Sequence, residues 1–189
     1  MLMKLLSRSD KQHLIDLAKL LAIADKPLLW DGKTRDQLTS SSDLDALTIV
    51  TGDAERELIE ELVQSTGNAS AFGTFFSSSC DVERRLVEAL KKLPMIVAEK
   101  PEYRVQAATG VLRELLKATK FELPSTSKVV LFELFLVALR DGSISSVEWA
   151  LLKEFQLHHK LEDFIFDDLL ERAETMNREV SKTISLILE

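Results

Sequence analysis

Lys128-Val-Val-Leu-Phe-Glu-Leu-Phe-Leu-Val-Ala-Leu-Arg140 is the stretch that decides the fold class of this chain. It is apolar nearly all round, with Glu133 as its one interior charge, and it lacks the period-two alternation of a half-buried strand. Such a run reads as a central helix buried on most sides. It is too short to span a bilayer. Asp141-Gly142 ends it, with Gly142 in the left-handed turn. Ser145 and Glu148 then form a capping box that opens the next helix.

Helical spacing continues on both sides. Ser9 to Gln12 reads as a capping box for a helix carrying Leu14, Leu17, Ala18, Leu21 and Ala24, which stops at Asp25-Lys26-Pro27. Residues 28–42 read as a loop or short helix with turns, with Trp30 exposed in a polar setting. A short helix is predicted over Asp43–Val50, ended by Gly52, and a longer one from Asp53 to Gln64. Residues 68–79 read as a second loop, pinned to the core by Phe72, Phe75 and Phe76. Ser79 caps a helix over Asp81–Leu93, and Pro101 opens one running to about Thr119. Pro124 and Ser125 break the chain before the central helix. Further helices follow over Ser145–Gln156 and Leu161–Met176, and the tail keeps helical spacing through Val180, Ile184 and Leu188. No convincing strand is found. The expected fold is all-α, a compact bundle of about seven to nine helices in one domain spanning 1–189, with loops near 26–42 and 67–79.

Composition agrees with that reading. Six Gly and four Pro in 189 residues leave few breaks. The single cysteine, Cys80, cannot form an internal disulfide and has no basic neighbour to activate it. A net charge of −7 with scattered basic pairs argues against nucleic acid as a partner. No apolar run at the start is long enough for a signal peptide, so a cytoplasmic protein without membrane insertion is expected. No phosphate loop, dinucleotide fingerprint or nucleophile elbow is present, and the chain reads as non-enzymatic.

The chemistry-bearing candidates lie at the Asp141 turn. Asp141 and Glu148 bracket a tight bend, where two carboxylates either hold a divalent cation or simply cap helices. The positions two and four before Asp141 are Leu139 and Val137, which excludes a conventional EF-hand. Extra oxygens would have to come from Asp25, at the end of the first apolar helix, with Glu55 and Asp31 as weaker candidates. Leu20–Asp25 weakly echoes Leu136–Asp141, as an apolar helix ending in Asp. That is either a divergent repeat or chance.

The run Phe135–Phe155, an apolar helix followed by Asp-Gly-x-Ile-x-x-x-Glu and Leu-Leu-x-x-Phe, resembles the core motif of the tellurite-resistance TerB-like family. The match spans about residues 128–175. The resemblance implies an all-helical fold of two pseudo-repeated helix groups and a divalent cation, Ca²⁺ or similar, at Asp141, Glu148 and Asp25. It also implies a role in stress response, in or near membrane-associated complexes. Lys26-Pro27 stands where the first repeat would need an Asp-Gly turn.

The remaining candidates are weaker. Glu133 is expected to reach solvent or an arginine along a narrow edge, since a lone buried carboxylate is costly. His158-His159 reads as surface or cap, and His13 as packing. Asp163, Asp167 and Glu171 step by four along one helix face, either merely solvated or receiving a basic protein partner. A metal-free interaction module using this acidic face, Trp30 or the Phe72–Phe76 segment is the alternative to a cation-binding protein.

Overall fold

Pro124 begins the central helix instead of merely breaking the chain before it. At the first helical position its missing N–H costs nothing, and α6 runs Pro124–Ala138. The computed structural model describes residues 2–64 and 72–188, with backbone alone at 54, 55 and 72–80. Along the chain come α1 (Arg8–Ile23), β1 (Leu28–Trp30), β2 (Leu47–Ile49), α2 (Asp53–Gln64), α3 (Phe72–Lys91), α4 (Met95–Ala98) and α5 (Pro101–Ala118). After α6 follow α7 (Ser146–His158) and α8 (Asp163–Leu188). The helical bundle expected from the sequence is the observed fold, with one small sheet added.

α6 buries Val130, Leu131, Leu134, Phe135, Val137 and Ala138. α1 packs on one side of it and α8 on another, while α5 packs on α3 and α7. Phe135 and Phe166 meet edge to face at 4.9 Å, joining α6 to α8 inside the core. Arg113 of α5 forks onto Glu154 of α7, its Nε donating at 2.7 Å and an Nη at 3.2 Å. No helix among the described residues is long and apolar enough to cross a membrane.

Several local expectations are corrected. Ser7, not Ser9, caps α1, accepting from the Asp10 amide at 3.2 Å. Residues 28–30 and 47–49 form an antiparallel pair instead of loop and helix. Leu47, Thr48 and Ile49 alternate buried, exposed, buried, which a strand satisfies and a helix does not. Asp31-Gly32, both with positive φ, close a two-residue turn in which Trp30 and Lys33 exchange backbone hydrogen bonds. Trp30 is 3% exposed and belongs to the core, so it offers no contact surface.

The expected loop 68–79 is helical from Phe72 onward, because α3 starts before Ser79. Residues 68–71, and the side chains of Phe72, Phe75, Phe76 and Cys80, lie outside the described ones. Instead of stopping near Met176, α8 continues unbroken to Leu188. Glu133 is 1% exposed, and no arginine among the described residues pairs with it. Its Oε1 accepts the Leu2 amide, which ties the 3-10 turn Met3–Leu5 to α6. Burial pushes its carboxyl above the usual carboxylate range, opposed by the backbone N–H groups of Leu2 and Met3.

Candidate functional site

α1 and α6 lie against one another, so the segments leaving their C-terminal ends meet. Gly142, at φ 86°, ends the 3-10 turn Leu139–Asp141 and turns the chain toward α7. Ser145 accepts the Glu148 amide at 3.2 Å, and Glu148 Oε2 accepts the Ser145 amide at 2.8 Å. This reciprocal cap is the one read from the sequence. Glu148 is buried, and burial pushes its carboxyl up; the Ser145 groups oppose that, while the Asp25 charge adds to it. Asp141 and Glu148 line one small cavity with Lys26, and the charge of Asp25 reaches Glu148 from the end of α1.

Three basic side chains share the junction, one of them Arg140, which lines the cavity there and pairs with Glu57 and Glu61 of α2. Lys26 Nζ sits 3.3 Å from Asp141 Oδ2. Arg104, 3% exposed on α5, donates from Nε to the Ala24 carbonyl at 2.8 Å. Its Nη2 donates to the carbonyls of Lys26 at 2.8 Å and Ile23 at 3.3 Å. Carbonyls left over at a helix end need partners, and one guanidinium supplies three. Burial works against the Arg104 charge, and the charges of Asp25 and Glu99 support it. The sequence reading missed Arg104. Its spacing to Ala107, Ala108 and Val111 on the buried stripe of α5 was the available signal.

A cavity of about 20 Å³ lies between Lys26, Asp141 and Glu148. That is room for about one water. A calcium ion wants six to eight oxygens. Here Asp141 is already paired to an ammonium, Glu148 is committed to its cap, and the α1 carbonyls point at Arg104. A dication would enter beside three fixed organic cations, Lys26, Arg104 and Arg140, so these residues do not fit the ion the resemblance implies. Among the described residues, no group of three or more His, Cys, Asp or Glu side chains could hold a metal.

Replacing Ser145 with Ala is expected to cost about 1 kcal/mol in urea unfolding, the usual worth of an N-cap. Glu148→Gln, which keeps an acceptor for the Ser145 amide, should cost less.

The other candidates are dispersed. Asp163, the first residue of α8, accepts Gln156 Nε2 at 2.8 Å and helps fasten the α7–α8 turn. Asp167 and Glu171 stay exposed on α8 with no basic side chain within ion-pair distance among the described residues. Asp31 pairs with Lys33 at 3.6 Å, far along the chain from the Asp141 turn.

The histidines form a cluster that the sequence did not suggest. His13 meets Phe121 edge on at 5.6 Å, and His159 stacks on the same ring at 4.9 Å. The Nε2 atoms of His13 and His159 are buried without a hydrogen-bond partner among the described residues. Burial lowers both imidazoles to about 4, reinforced by the nearby His158.

Comparison with protein-family models, curated proteins and solved structures found no match to this chain.

Proposed function

We propose that this chain is a non-enzymatic, cytoplasmic, TerB-like helical module that acts in stress response by holding a protein partner on α8, with no metal at its central junction. The family and stress-response parts rest on the Phe135–Phe155 motif. The partner-holding part rests on a single observation about α8. Phe166 and Ala173 bury against the body, and the same face continues outward through Val180, Ile184 and Ile187, which are 47%, 52% and 74% exposed. Residues four and seven apart share a helix face, so the stripe that packs the body runs on past its edge, uncovered by any of the described residues.

At 1.5 Å per residue, the stretch from Asn177 to Leu188 extends roughly 18 Å. An apolar stripe of that length is the form in which one amphipathic helix receives another. Asp167, Glu171 and Glu174 precede it on the same helix, so a partner helix long enough to reach them would carry a basic end.

The double variant Val180→Glu with Ile184→Glu tests this. The melting temperature should stay within about 2 °C of the parent, since these side chains are already exposed. A protein retained from cell extract by the parent in EDTA, and lost by the variant, is the expected result. Equal retention by both proteins, or loss on adding EDTA, overturns the reading.

Calcium or magnesium at millimolar concentration is expected to leave the melting temperature unchanged. A ligand that binds the folded state at a hundred times its Kd would add about 2.7 kcal/mol. A rise of several degrees that Asp141→Ala abolishes would restore the cation-binding alternative.

A further inference from the structure

The α5–α6 connection and the α7–α8 turn face each other across an open groove of about 780 Å³. Small-molecule sites occupy roughly 300–1,000 Å³. The floor is held in place: Phe121 stacks on His159 with 24° between ring planes, and His159 leans on Phe155 at 4.4 Å. Two large apolar side chains on its walls stand open, Leu123 at 61% and Phe164 at 63%.

Four lysines line the same groove: Lys117, Lys120, Lys128 and Lys160. None has a carboxylate within 4.0 Å among the described residues. The acidic side chains lining it are Glu122 and Glu162, so four positive less two negative leaves a formal +2, on a chain of −7. Lys160 also holds a left-handed backbone, φ 52°, just past the end of α7. Glycine or asparagine is the usual occupant of such a position. Here Lys160 closes a helix ending of the usual left-handed kind, the Leu161 amide donating to the Gln156 carbonyl at 3.1 Å and the Lys160 amide to the Leu157 carbonyl at 3.2 Å.

We infer that this groove binds a single-chain anionic amphiphile, its apolar chain along Phe121, Leu123 and Phe164 and its acidic head among the four lysines. Neither half of that ligand suffices alone. The open aromatic and leucine walls bind a chain of methylenes by burying apolar area, and the unpaired ammonium groups select a negative head. The site lies at the Asp163 end of α8, whereas the stripe proposed to hold a protein partner lies toward Leu188. The two readings therefore stand or fall separately.

Titration calorimetry of the full chain with dodecanoate, kept below its micellar concentration, tests the inference. Dodecyl maltoside and dodecyltrimethylammonium serve as neutral and cationic controls, and phosphatidylglycerol vesicles serve as the membrane-bound source of the same chemistry. Dodecanoate is expected to bind one to one and at least tenfold tighter than either control. Lys120→Glu with Lys128→Glu should weaken it at least tenfold, and Phe164→Ser severalfold.

Lys160→Gly gives a readout that mere structural damage would not. It should raise the melting temperature, by relieving the left-handed residue, while weakening dodecanoate. Equal binding of all three amphiphiles overturns the inference, as does binding to vesicles alone. Indifference to the paired lysine reversal, or tighter binding of an acidic peptide, overturns it too.

Discussion

Arg104→Ala is expected to destabilise the protein by about 3–5 kcal/mol, because it strands three carbonyl acceptors that the buried guanidinium serves. The cost has three parts. Three carbonyls at the end of α1 lose their donor, and each buried unsatisfied acceptor costs on the order of 1–3 kcal/mol when nothing replaces it. The removed side chain leaves a void beside α1 and α5. Asp25 and Glu99 lose the positive charge that faces them. Water entering the void would recover part of the first contribution, which keeps the total within that range.

Arg104→Met separates packing from hydrogen bonding. It fills the volume but donates nothing, so it should recover only a minor part of the loss in urea-unfolding midpoints. Arg104→Lys keeps the charge on a compact head that cannot match the guanidinium fork, and should fall between the parent and Met. A loss below 1 kcal/mol for the alanine variant would mean that this junction does not depend on its internal cation.

Acid should destabilise the protein through the histidine cluster, in a direction fixed by linkage. His13 and His159 are held near 4 in the folded state, against 6.5 for a free imidazole. Above pH 6.5 neither state takes up a proton at these residues, and their contribution is complete. Between 6.5 and about 4 the unfolded chain binds protons that the folded chain refuses, so stability falls as pH falls. At pH 5 that amounts to about 2 kcal/mol for buried His13, and on the order of 1 kcal/mol for the less buried His159.

Glu133 and Glu148 act in the opposite sense, because burial raises their folded-state values and acid then favours the folded form. The useful measurement is therefore a difference. Urea unfolding of the parent and of His13→Leu, from pH 7.5 to 4.5, should show the gap between them shifting in favour of the variant by about 2 kcal/mol as pH drops to 5. Parallel curves would place the His13 proton in ordinary solvent.

Much of the carboxylate junction was legible in the residue order. The Asp141-Gly142 turn and the Ser145–Glu148 cap are local arrangements, set by backbone preferences and by side chains three residues apart. What the junction could hold was not legible, because Lys26 and Arg104 arrive from outside the motif. Their pairing spans 115 residues in one case and about 80 in the other. The sheet was missed for a related reason. Leu28–Trp30 and Leu47–Ile49 are each too short to show a period, and become strands only through one another.

The order of residues by itself determined that this protein is a bundle of helices, and where most of those helices begin. Propensity, caps, proline and glycine act within a few residues, and the apolar spacing around α6 leaves no other architecture. The tertiary structure alone decided that the acidic corner is neutralised by lysine and arginine, that Trp30 lies inside, and that Phe121 and His159 floor a lysine-lined groove. Those outcomes depend on which helix ends meet, and the chain settles that only by burying its apolar faces all at once.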